Sequence, residues 1–165
     1  NSEQLLKILN NNQDVYLAAN ANLRILHALN NEIKELEKYI KSKVNLRPEF
    51  KNLKTIPGIG DILALAIMLE TGEISRFKDV GNFSSYCRCV GSKRLSNGKK
   101  KGENNRKNGN KYLAWAFVEA AHFAIRFEPA IKKFYQKKIN KTKEVVAIKA
   151  IANKLSKACF YIMRD

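Results

Sequence analysis

The segment Leu95-Ser96-Asn97-Gly98-Lys99-Lys100-Lys101-Gly102 sets one hydroxyl in a lysine-rich, glycine-broken stretch. A basic stretch of this kind can lie against phosphates, and a hydroxyl within it is placed to attack one. Serine is a weak nucleophile unless a base or a metal-rich site activates it. Ser84, Ser85 and Ser92 are local competitors. The polar alternative is a solvated loop whose serine does no chemistry.

Activation is hard to find in this chain. His27 falls on a long amphipathic segment, and His122 falls in an apolar one, where a packed histidine is expected. Glu119 and His122 have the i, i+3 spacing of carboxylate metal sites but no further partners. The remaining acids are scattered, with no set of three or four able to hold Mg²⁺. Cys87, Cys89 and Cys159 are an odd count, read as small buried side chains in a reducing cytosol. If Ser96 is catalytic, its metal site must come from another domain or chain. The chain begins at Asn1 and is read as a fragment or a processed product.

Charge points to the partner. Of 165 residues, 1–50 hold seven Lys/Arg and six Asp/Glu, whereas 51–165 hold 24 and nine. Nearly all of the +16 formal charge therefore lies in the second part, which implies a polyanion, nucleic acid before an acidic membrane. No apolar run is long enough to cross a bilayer. Between residues 91 and 110 there are four glycines and one Glu. The seven cations there, Lys93, Arg94, Lys99, Lys100, Lys101, Arg106 and Lys107, are the expected phosphate contacts.

The elements that must position these groups read as helices throughout, an all-α chain without strands. Leu5, Ile8, Asn12, Val15, Ala19, Asn22, Leu26, Leu29, Ile33, Leu36 and Ile40 alternate at spacings of three and four. This is a heptad seam on one helix, over about residues 3–44, that outruns the core of a small domain. Residues 1–48 are thus expected to be a coiled-coil dimerisation helix, ended by Arg47-Pro48. Residues 49–165 are expected to be a compact helical domain with the basic loop 91–110. Its helices read as 62–70, capped by Asp61, then about 79–88, then a buried 112–127. A basic helix opened by Pro129 follows, and a last helix, 143–163, capped by Thr142, offers Val145, Ile148, Ile151, Ala152, Leu155 and Phe160 to the core.

The turn Pro57-Gly58-Ile59-Gly60 resembles a helix-hairpin-helix motif. Its glycines would let the backbone N–H groups of Gly58, Ile59 and Gly60 approach a phosphate without reading a base. The alternative is a turn that only packs two helices.

Taken in order, further landmarks join this turn. They are Glu70-x-Gly72, Arg76-Phe77, Phe83 to Tyr86, Ser96-Asn97-Gly98, Asn108-Gly109-Asn110-x-x-Leu113, Glu119-Ala120-Ala121 and a basic final helix. As a series, Leu53 to Asp165 resembles the C-terminal, serine-bearing domain of the DEDD-type insertion-sequence transposases, relatives of the Piv invertases. The preceding helix suits the coiled coil between that family's two domains. The resemblance implies DNA strand exchange in transposition, guided by an RNA that the element encodes. It assigns the nucleophile to Ser96 and backbone contact to the basic residues and Asn110. It places Mg²⁺ in a RuvC-like acidic domain that this sequence lacks, so the isolated chain is expected to be inactive. The usual Ser-Gly is Ser96-Asn97 here, and Asn97-Gly98 can make the same left-handed turn. Homo-oligomers through the long helix and a bacterial, nucleoid-associated cytoplasmic setting also follow. The competing readings are a non-catalytic helix-hairpin-helix nucleic-acid-binding module and a structural coiled-coil adaptor.

Overall fold

The computed structural model describes residues 13–44, 47–91, 93–103 and 108–164. The chain divides into two compact units, Asn1–Leu46 and Arg47–Asp165. The described residues of the first form one helix, α1 (Gln13–Val44), with Asp14 in its first turn and Lys41 and Lys43 in its last, as the helix dipole favours. Its seam residues Leu26, Leu29, Ile33 and Leu36 are half or more exposed. Leu5, Ile8 and Asn12 lie outside the described residues.

The second unit is all-α apart from one strand pair. Its elements are α2 (Pro48–Leu53), α3 (Asp61–Thr71), a 3-10 turn (Ile74–Arg76), α4 (Val80–Tyr86), β1 (Lys93–Ser96), β2 (Lys99–Glu103), α5 (Lys111–Phe127), α6 (Pro129–Ile139) and α7 (Glu144–Arg164). Helix α7 is central and packs on α2, α4, α5 and α6. Phe83, Phe117 and Phe160 meet at its core, with ring centroids 5.8 and 6.3 Å from Phe83. Each of these rings is essentially inaccessible to water. Small residues let α5 come close to its neighbours: Ala116, Ala120, Ala121 and Ala124 are fully buried along one face.

Several expectations are corrected. The segment 91–110 is not wholly a loop, since β1 and β2 pair antiparallel. An Asn-Gly turn closes such a ribbon without any core, so apolar patterning gives no warning of it. Helix α5 is buried on one face only; Tyr112, Trp115, His122, Phe123 and Phe127 are exposed on the other. His122 is therefore not a packed histidine. Gly60 occupies the N-cap of α3, and Asp61, its first helical residue, instead pairs with Lys54 at 2.8 Å. The Thr142 hydroxyl donates to the Lys138 carbonyl at the end of α6 rather than capping α7. Val145 is 65% exposed, because it lies on the side of α7 away from Ile148, Ile151, Ala152, Leu155 and Phe160, which do enter the core.

Candidate functional site

Ser96 is the last residue of β1 and is exposed. Asn97 and Gly98 follow with φ of 51° and 71°. Two successive left-handed residues make the primed turn whose twist matches a β-ribbon. The turn sets Ser96 directly opposite Lys99 in the ladder. Side chains opposite one another share a face, with Cβ atoms about 5 Å apart. The Ser96 hydroxyl and the exposed Lys99 ammonium thus project from the same face. Such a pair can offer a phosphodiester an attacking oxygen and a cation for its anionic oxygens.

Lower on the ribbon, Arg94 pairs with Gly102 and Leu95 with Lys100, so Lys101 is the extra residue of a bulge. Bulges sharpen local twist and re-aim side chains. Lys101 is exposed. Lys93, Arg94 and Lys100 lie on the two strands, while Arg106 and Lys107 fall outside the described residues.

The ribbon springs from a fixed base. Asn110 caps α5, accepting from the N–H groups of Tyr112 (2.8 Å) and Leu113 (3.0 Å) and donating to Glu70 Oε2 at 2.7 Å. Its side chain is thus engaged within the chain. Arg76 lies over the rings of Phe77 and Tyr86, 4.6 and 4.8 Å from their centroids. Hydrogen bonds from Asn110 and Arg76 hold the Tyr86 phenol below its ordinary pKa.

The other nucleophile candidates differ in exposure. Ser84 is buried against Ser156, with their hydroxyls 3.2 Å apart. Ser85 is exposed on α4, and Ser92 is outside the described residues. All three cysteines are free and buried. Burial pushes the Cys89 thiol up to about 12 and raises Cys87 and Cys159 as well. None is a thiolate at neutral pH. Among the described residues no group of three or more His, Cys, Asp or Glu could hold a metal ion.

The helix-hairpin-helix-like turn is built differently from the hairpin tip. Gly58 has φ of 86° and lies against α5: a Cβ there would stand 2.2 Å from the Ala120 carbonyl oxygen. Ile59 is buried, and its N–H donates to the Ile56 carbonyl at 3.1 Å. Of the three, only Gly60 faces open space. The turn, with Pro57, Ile62, Phe123 and Phe127, lines a largely apolar groove of about 600 Å³. The groove was not legible in the sequence, which marks apolar residues but not which side of a helix they cover.

Fold and site together define a basic helical domain that presents a serine on a lysine-bearing hairpin. Residues 50–136, from α2 through most of α6, match the transposase IS116/IS110/IS902 family, and the chain belongs to that family. The matched segment contains the Pro57–Gly60 turn, the hairpin and α5, which bears out the expectation of an insertion-sequence transposase. No curated protein matches the chain. Among the described residues no helix is long and apolar enough to cross a membrane.

Proposed function

We propose that this chain is the serine-bearing part of an RNA-guided transposase. In this reading Ser96 is the nucleophile for DNA strand cleavage and exchange. The observation that carries it is the exposed Ser96 hydroxyl, held between a β-ladder and a left-handed turn and facing Lys99. The Ser96 Oγ attacks phosphorus, forming a seryl phosphoester as one bond from phosphorus to a sugar oxygen breaks. The hydroxyl proton leaves to a base or solvent, and the departing sugar oxygen takes one up. One phosphoester replaces another, so attack by a second DNA end can reverse the step with no added energy source.

Lys93, Arg94, Lys99, Lys100, Lys101, Arg106 and Lys107 hold the DNA or RNA backbone. Each phosphate neutralised steepens the salt dependence of binding by about 0.9 in log–log slope. Among the described residues no donor set fits Mg²⁺, so this reading assigns the metal to a RuvC-like domain outside this sequence. The packing of Gly58 on α5 supports an organising role for the Pro57–Gly60 turn, with Gly60 as its open position.

Quenching an active strand-exchange reaction with detergent traps a protein–DNA adduct, and peptide mapping locates it at Ser96. Recombination that proceeds with no adduct under the same quench overturns the reading and leaves a non-catalytic binding module.

The exposed seam of α1 supports pairing between copies, which would bring one chain's serine to another chain's metal site. Burying one leucine contributes about 1.5–3 kcal/mol. Leu29→Asp with Ile33→Asp is expected to turn dimers into monomers in sedimentation velocity. A parent chain that already sediments as a monomer removes the interface.

A further inference from the structure

We propose that Arg88 is a positioning residue for Ser96, clamping the two ends of the hairpin excursion to the body of the domain. The proposal rests on the reading of Ser96 as nucleophile. Arg88 follows α4 and is left-handed, with φ of 55°, an uncommon conformation for any residue but glycine, Asn or Asp. Its side chain reaches across to the returning chain at Asn108 and Gly109. Its Nε–H donates to the Asn108 carbonyl at 2.8 Å, and its Nη2 donates to the Gly109 carbonyl at 3.0 Å. One rigid, planar fork thus holds two successive carbonyls, which a lysine ammonium on a flexible stem does not reproduce.

Both chain ends are pinned at the same place. On the way out, the N–H groups of Cys87, Arg88 and Cys89 donate to the carbonyls of Phe83, Ser85 and Ser84 at 2.9, 2.9 and 3.0 Å. Cys87 and Cys89 are buried beside them. On the way back, the Asn110 N–H donates to the Tyr86 carbonyl at 2.7 Å. Gly109, with φ of 80°, passes so close that a Cβ would stand 2.5 Å from that same carbonyl oxygen. Between these anchors the chain runs out to Ser96 and back through the β1–β2 ladder.

Arg88 is unlike Lys99 and Lys101, which are exposed. It is half-buried, and its donors are directed at main-chain carbonyls. Its consequence for chemistry is geometric. A nucleophile reacts from a near-attack distance of about 3–3.5 Å, and a misplacement of about 1 Å costs roughly 10²-fold in rate. The tip of the hairpin is delivered as accurately as its two chain ends are fixed.

Arg88→Gly is the test, because glycine keeps the left-handed backbone and removes only the fork. In the complete transposase we expect turnover in strand exchange to fall at least tenfold. KM and the Kd for DNA stay within about twofold, the helical melting transition is unmoved, and trypsin cleaves faster after Lys99 and Lys101. Arg88→Lys, which keeps the charge but not the planar fork, gives a turnover between parent and Arg88→Gly. Ser96→Ala is assayed beside them. If Ser96→Ala is inactive and Arg88→Gly keeps parental turnover, the clamp is overturned while the serine reading stands. If Ser96→Ala exchanges strands normally, the serine reading falls and the clamp falls with it. Should Arg88→Gly unfold the chain, Arg88→Lys decides: parental turnover with parental tryptic rates overturns the clamp.

Discussion

If Ser96 is the nucleophile proposed above, Ser96→Ala is expected to lower strand exchange by the complete transposase by a factor on the order of 10⁴ or more, while DNA and RNA binding persist. The size follows from the role: removing a covalent nucleophile deletes the step itself, and what is left is catalysis by binding and metal alone. Binding persists because the hydroxyl is one exposed polar group beside a row of cations, and affinity for a polyanion comes from the cations. Folding persists too. Ser96 is exposed, and the turn after it is set by Asn97 and Gly98, whose left-handed conformations do not depend on the serine. The predicted signature is therefore a rate effect with no matching loss of affinity or melting temperature. Exchange at the parental rate refutes the nucleophile; a parallel fall in affinity reassigns Ser96 to backbone binding.

How far this site could be read in advance depends on what each element buries. Helix α6 is legible to the residue at its start, because Pro129 supplies the N1 signal; the Glu128 cap appears only in the structure. Helix α3 is legible because Leu63, Ala64, Ile67 and Met68 form a buried face. The hairpin is the opposite case. A two-stranded ribbon with an exposed, lysine-rich tip buries little, so hydrophobic patterning is silent, and Asn97-Gly98 is the only local signal. It predicts a turn beside the serine but not that the flanking residues pair.

The aromatic face of α5 was misjudged for a related reason. Composition makes the helix strongly apolar, but only tertiary packing decides that Leu113, Phe117 and the alanines go inward while Phe123 and Phe127 stay out. Arg88 left no trace in the sequence reading, since a basic residue next to a basic loop looks like another phosphate contact. Its left-handed φ and its two carbonyl partners exist only once the chain is folded.

Gly58→Ala is expected to destabilise the helical unit by about 2–5 kcal/mol, a large share of the roughly 5–15 kcal/mol that holds a domain together. Two costs add. A left-handed non-glycine residue costs about 1–2 kcal/mol. The new methyl must also displace backbone, since its position lies 2.2 Å from the Ala120 carbonyl oxygen and 2.7 Å from the Ala124 nitrogen. Overpacking of this kind costs about 1–3 kcal/mol. At a few degrees per kcal/mol for a unit of this size, the midpoint falls by about 6–20 °C in a thermal melt followed by circular dichroism. Gly60→Ala is the internal control: φ there is −92°, and no atom lies within 4 Å of the added methyl. It should leave the midpoint within the roughly 0.5 kcal/mol of an ordinary surface change. The pair also separates the two roles of the turn. If the turn only organises the fold, Gly60→Ala is silent in DNA binding as well as in melting. If its backbone meets a phosphate, the methyl stands at the open face of the α3 N-terminus and weakens binding without changing stability. A Gly58→Ala protein that melts within about 2 °C of the parent would mean that the turn does not sit on α5 as closely as this packing requires.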